Sequence, residues 1–167
     1  MGFCNAVVDV TVRVPQQFLD QHGLEAGTHG AWAESLEKKR ALSLKATSNP
    51  SANYSPGGSA LNTLRAIRWL LPSHELPVVF LGAVGQDSAG DYLVQACEDA
   101  GLTALLQRRS QSDTGLCCSF VRDTDGERTL VRPQSLLAAS LLRACFLDYD
   151  SSYPKLPLGF PSLLVVT

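Results

Sequence analysis

The feature that most constrains the fold is Ser55-Pro56-Gly57-Gly58-Ser59-Ala60-Leu61-Asn62-Thr63, where a polar segment ends in two adjacent glycines and an apolar helical pattern begins at once. Leu61, Leu64, Ile67, Leu70 and Leu71 recur at the spacing of one buried helix face. Glycines at a helix start allow positive φ and close backbone approach, because no Cβ stands in the way. The first N–H groups of such a helix have no partner inside it and point at whatever sits there. Asn62, one turn in, adds a side-chain donor and acceptor at the same place. On these residues alone two readings stay open: a ligand-binding loop, or an ordinary connection with Ser59 as the helix N-cap. A Walker phosphate loop is excluded, since no Gly-Lys-Ser/Thr follows the glycines.

The surrounding pattern alternates strand and helix. Asn5 to Val10 is a short β-branched segment, and Thr11 to Val14 alternates polar and apolar as a half-exposed strand does. Asp9 stands among valines. A carboxylate there either faces a cleft or caps local N–H groups at an edge or turn, because burying it unpaired is costly. Short helices are expected over Pro15 to Gly23 and Glu34 to Ala46, with a weak strand over Gly27 to Ala33 and a turn-rich stretch from Thr47 to Tyr54. Leu76 to Val84, centred on Val78-Val79-Phe80-Leu81, suits a strand buried on both faces. Asp87 or Ser88 then caps a helix running to Ala100, stopped by Gly101. This order predicts a βαβ-type layered sheet. From Leu116 the texture changes to a hairpin, Leu116 to Arg122 and Arg128 to Arg132, around an Asp125-Gly126 turn. Pro154, Pro157 and Pro161 break up the last segment, with a strand possible over Ser162 to Thr167.

Bulk properties narrow the partners. A net charge of -2, with no Lys/Arg cluster on an expected helix, argues against nucleic acid or an anionic membrane. The longest apolar run, Leu136 to Leu147, is too short to span a bilayer. Cys4, Cys97, Cys117, Cys118 and Cys145 make an odd set without Cys-x-x-Cys spacing or a signal peptide, the pattern of reduced thiols in a cytoplasmic protein. Only 18% of residues are charged, which fits a chain with apolar surface meant to be covered.

Four segments in order resemble the ribokinase-like, PfkB-type carbohydrate and nucleoside kinases, in their adenosine-kinase-like branch. Asn5-Ala6-Val7-Val8-Asp9 resembles the first-strand motif, and Gly57-Gly58-Ser59-Ala60-Leu61-Asn62-Thr63 the Gly-Gly-Ser-Ala-x-Asn-Thr signature. Gly82-Ala83-Val84-Gly85-Gln86-Asp87-Ser88-Ala89-Gly90 resembles the Gly-x-Val-Gly-x-Asp-x-x-Gly signature, and Thr114-Gly115 with the following hairpin matches the next segment. The resemblance implies an α/β ribokinase-like layered sheet with a small β lid from segments 11–14, 30–33 and 116–132. It implies that Asp9 accepts hydrogen bonds from two adjacent sugar hydroxyls, while Gly57, Gly58 and Asn62 hold the same sugar from the other side. Cys117 either faces that pocket or packs within the hairpin, and Trp32 either contributes from the lid or fills its core. ATP and Mg²⁺ are the implied cofactors, a sugar or ribonucleoside the implied partner, and a homodimer through the lid is a further possibility.

The resemblance covers about Cys4 to Arg132, so residues 1–135 are expected to form the N-terminal part of such a kinase domain, core plus lid, with 136–167 divergent. In the family, the catalytic carboxylate and the positive phosphate site come from a Gly-Ala-Gly-Asp motif, and the sequence has none. Ser88-Ala89-Gly90-Asp91 lacks the first glycine and belongs to the earlier signature, so Asp91 is expected on an exposed first helical turn and no catalytic residue is assigned. The domain reads as incomplete. Two functions follow: ATP-dependent phosphorylation of a sugar or ribonucleoside hydroxyl, or a truncated, non-catalytic isoform or fragment that binds substrate or a partner chain. Without the resemblance, only an α/β domain remains.

Overall fold

The computed structural model describes residues 2–3, 6–28, 35–71 and 77–132. Along them run β1 (Gly2–Phe3), β2 (Val7–Val14), α1 (Gln16–Gln21), α2 (Leu36–Thr47), β3 (Asn53–Gly57), α3 (Ser59–Leu70), β4 (Val79–Gly85), α4 (Ser88–Asp99), β5 (Thr103–Arg109), β6 (Gly115–Arg122) and β7 (Arg128–Val131). They divide into two compact units. One takes the described residues within 1–7 and 56–115, the other those within 8–55 and 116–134.

The first unit holds a parallel sheet ordered β1-β4-β5. Gly2 and Phe3 pair with Phe80 and Leu81, and Val79 to Gly85 pair in step with Thr103 to Arg109. Helix α3 packs on β1 and β4, and α4 on β4 and β5. Strand β4 is buried along nearly its whole length, as expected of a central parallel strand, and Phe80, Ala83 and Val84 are fully enclosed. Leu61 and Leu64 of α3 and Leu93 and Cys97 of α4 close the same core. Burying one such leucine or phenylalanine is worth roughly 1.5–3 kcal/mol. The α4 cap and its Gly101 stop fall where the pattern placed them, with Gly101 at φ 67°.

The second unit is a four-stranded sheet ordered β3-β2-β6-β7. Strand β2 is one continuous eight-residue strand rather than two short ones, and it alternates strictly over most of its length. Val8, Val10, Val12 and Val14 are buried, while Asp9 and Thr11 are half-buried and Arg13 is exposed. On the valine side, Phe18 of α1 lies against Phe120 of β6, ring centroids 5.1 Å apart, and Ser43 of α2 reaches Cys118. The hairpin forms in the expected place. Cys118 pairs with Val131 and Val121 with Arg128, and Gly126 turns the chain at φ 79°.

Three strands go beyond the expected pattern, β1, β3 and β5, and the helix over 36–47 starts at a Ser35 cap that accepts the Lys38 N–H at 3.2 Å. The expected lid segment 30–33 with Trp32 and everything from 136 onward lie outside the described residues. No helix among the described residues is long and apolar enough to cross a membrane.

Candidate functional site

Asp9 sits in the middle of β2, on the face opposite the buried valines. Its neighbour in space is Cys117 of the adjacent strand β6, whose thiol hydrogen-bonds to the carboxylate. That contact fixes the parity of the sheet: odd residues of β2 and of β6 share one face, and Val8, Val10, Cys118 and Phe120 share the other. Arg132, immediately after β7, places a guanidinium within electrostatic reach of both groups. Partial burial pushes the Asp9 carboxyl above its ordinary 3.8, against the pull of Arg132 and the Cys117 hydrogen bond. Burial and the Asp9 charge likewise push the Cys117 thiol up, so the pair rests as a protonated thiol donating to a carboxylate. A carboxylate half-buried beside one donor and one cation keeps lone pairs for incoming hydroxyl groups.

The glycine pair stands in the other unit, at the start of α3. Gly57 is buried at the end of β3, and Gly58 is the residue before the helix, at φ 99°, a backbone that residues with a Cβ avoid. This corrects one of the two sequence readings. Ser59 is the first helical residue and not the N-cap, and no side chain caps α3. Asn62 is exposed on the first turn, its amide oxygen 3.4 Å from the Arg65 guanidinium, which lies equally far from the Pro56 carbonyl. Its amide N–H groups point to no partner among the bonds described for that turn, and its N–H follows the helix ladder to the Gly58 carbonyl at 3.0 Å.

The Gly-Gln-Asp segment does something different. Asp87 caps α4 by accepting the Gly90 N–H at 2.8 Å, and it also accepts the Thr114 N–H at 2.7 Å and the Thr114 hydroxyl at 2.6 Å. That hydroxyl in turn accepts the Gly85 N–H at 2.8 Å. A Cβ on Gly90 would sit 2.6 Å from the Gly85 carbonyl oxygen, and one on Gly85 would sit 2.6 Å from the Ser112 carbonyl oxygen. Thus the signature glycines are spaces that let strand end, helix start and the Thr114 segment close on one carboxylate. Burial pushes Asp87 up, but the Thr114 and Gly90 hydrogen bonds and Arg108 hold it below its ordinary 3.8. Asp91 is exposed on the first turn of α4 and pairs with Arg108 at 2.5 Å, a surface contact.

Comparison with known proteins fits this geometry. The profile for pfkB family carbohydrate kinases matches residues 36–145, more than half of the chain. The chain belongs to the pfkB family. It is 30% identical over 129 residues to adenosine kinase of Schizosaccharomyces pombe and 29% identical over 127 residues to that of Dictyostelium discoideum. These alignments take in 77% and 76% of this chain and 35% of each relative, so the chain spans about a third of the length of the curated relatives it matches. Among solved structures, Trypanosoma brucei brucei adenosine kinase superposes with a TM-score of 0.70 at 28% identity, over 85% of this chain and 43% of its own. Anopheles gambiae adenosine kinase, solved with a diadenosine tetraphosphate, gives 0.67 at 27%, over 81% and 39%. The architecture of this pfkB chain is accordingly ribokinase-like α/β and incomplete against those folds.

Arg132 and Ser119 on the Asp9 face were not singled out by the sequence. The available signal was the hairpin register: Ser119 stands two residues beyond Cys117 and opposite Leu130, which puts it on that face.

Proposed function

We propose that this pfkB chain carries the acceptor-binding surface of a kinase for sugars or ribonucleosides, an adenosine-like nucleoside first among them. The observation that carries the reading is Asp9: a carboxylate on a lid-type sheet face, flanked by the Cys117 thiol and Arg132, in a chain whose relatives are adenosine kinases. Two adjacent sugar hydroxyls would donate to its oxygens, with Gly57, Gly58 and Asn62 as further contacts. The positive φ at Gly58 and the exposed Asn62 amide support that role, since both leave backbone and side-chain donors accessible at the start of α3.

The reaction we infer for the family member as a whole is transfer of a phosphoryl group from ATP, with Mg²⁺, to a hydroxyl of the bound sugar. The family's Gly-Ala-Gly-Asp motif is not in this sequence. Among the described residues no three His, Cys, Asp or Glu side chains cluster to hold a metal ion, and the glycine pair has no lysine after it. No residue of this chain is therefore given a part in moving the phosphoryl group. What these residues supply is orientation of the acceptor.

Isothermal titration of the 167-residue chain with adenosine and with ribose tests the proposal. Saturable binding is expected, and Asp9→Asn is expected to weaken it about a hundredfold, as loss of two hydrogen bonds to a charged group implies. Binding that survives Asp9→Asn unchanged would remove Asp9 from the site.

A further inference from the structure

The connection from β5 to β6 carries a pattern that the acceptor site does not use. Arg108-Arg109-Ser110 holds the one Arg-Arg pair of the chain, and Ser110 lies exposed on the turn that leaves β5. The far end of the same turn is committed. Thr114 is buried, with its N–H and hydroxyl both on Asp87, and the Ser112 carbonyl oxygen would lie 2.6 Å from a Cβ on Gly85. Ser110 stands clear of that closure, so its hydroxyl is the one in the segment that an enzyme reaches without opening the fold. The two arginines are held unequally. Arg109 directs Nε and Nη2 to the Gln107 amide oxygen at 3.1 and 2.7 Å, whereas Arg108 is exposed and reaches Asp91 on the first turn of α4. With both side chains in solvent, the Arg108–Asp91 pair is weakly held.

We propose that Ser110 is a phosphorylation site for an arginine-directed protein kinase, and that its phosphate takes Arg108 from Asp91. Such kinases read positive charge ahead of the acceptor hydroxyl, which the Arg-Arg pair supplies on an accessible turn. In the transfer the Ser110 oxygen bonds the γ-phosphorus of ATP, the bond to the β,γ-bridging oxygen breaks, ADP leaves and the hydroxyl proton passes to the kinase. The phosphoserine carries about −1.5 to −2 charge and three acceptor oxygens. Asp91 offers a single charge, so the phosphate is the stronger partner for a guanidinium two residues away. Arg108 is also among the charges that favour ionised Asp87, so the exchange bears on the Asp87–Thr114 contact as well. The inference does not depend on the acceptor-site reading of Asp9.

The test has two parts. The 167-residue chain and Ser110→Ala are incubated with ATP and a cyclic-AMP-dependent serine kinase, an arginine-directed enzyme, and phosphopeptides are located by mass spectrometry. A phosphate at Ser110 is expected in the parent and not in the variant; label confined to other residues, or none, overturns the site. For the second part, phosphoserine is introduced at position 110 during translation, so that the arginine variant does not depend on the kinase, and its second ionisation is followed by ³¹P NMR. In the parent it is expected below the ordinary value of about 6. Arg108→Gln should raise it by about 0.5, and Asp91→Asn, which removes the competing carboxylate, should lower it further. An ionisation that moves in neither variant overturns the exchange of Arg108 between Asp91 and the phosphate.

Discussion

Asp9 is held in two opposing balances. Burial raises its carboxyl above 3.8, so the fold favours the protonated form more than the unfolded chain does. By linkage, the stability tied to Asp9 is fully present below the unfolded value of 3.8 and is lost as pH rises through the raised folded value. Hydroxyl binding runs the other way, because only the ionised carboxylate accepts from two donors at once. Between pH 4 and 7, then, adenosine affinity of the parent should climb with pH while the contribution of Asp9 to stability declines. Asp9→Asn should flatten the affinity profile and should not be less stable than the parent at pH 7. Titration calorimetry and urea unfolding across that range measure both. An affinity that falls with rising pH would contradict the role given to the carboxylate. Ser119, on the same face, keeps a buried hydroxyl without a hydrogen-bond partner. Groups of this kind mark sites better than well-satisfied ones do.

The latch at the head of α4 is the opposite case, since every polar atom in it is used. Asp87 accepts from Gly90 and twice from Thr114, and Thr114 accepts from Gly85. Thr114→Val keeps the shape and removes the hydroxyl, leaving the buried Gly85 N–H unpaired, so a loss of about 1–3 kcal/mol is expected in urea unfolding at pH 7. Asp87 sits below 3.8, so its stabilisation is present above that value and is lost as pH falls through the folded one. In the variant the carboxyl moves back toward 3.8 and the acid-dependent loss should shrink; an unchanged acid profile would mean that Thr114 does not hold the carboxylate. Elements of this kind were legible in the sequence because their causes are local. The first turns of α3, the Asp87 cap, the Gly101 stop and the Asp125-Gly126 turn each act within a few residues, whereas Leu70 and Leu71, expected on the same buried face as Leu61 and Leu64, are exposed at the end of α3 and its C-cap, because no described element covers them. Strands β3 and β5 were not legible. Asn53 to Ser55 are exposed and Pro56 follows, and Thr103 to Arg109 is half-buried and mixed in polarity, so both take their strand state from partners far along the chain. The site divides the same way. Asp9 and the glycines stand out as oddities in their own segments, whereas Arg132 and Ser119 matter only through the pairing of β6 with its neighbours.

At the scale of the whole pfkB chain, each unit carries a reporter inside its own core. Cys97 is fully buried in α4 of the parallel-sheet unit and Cys118 in β6 of the four-stranded one, and burial pushes each thiol up to about 11. At pH 8 roughly one thiol in a thousand is then the reactive thiolate, even before access is considered. Modification must wait for local or global opening, so its rate reads the stability of the surrounding unit. Both cysteines should react at least about a hundredfold more slowly in native buffer than in strong urea, followed residue by residue with mass spectrometry of alkylated peptides. The Thr114→Val change falls in the same unit as Cys97. It should bring Cys97 to reactivity at a lower urea concentration and leave the midpoint of Cys118 where it was. If the two midpoints instead move together, the described residues unfold as a single cooperative body, and the loss of one latch reaches the Asp9 sheet through stability alone.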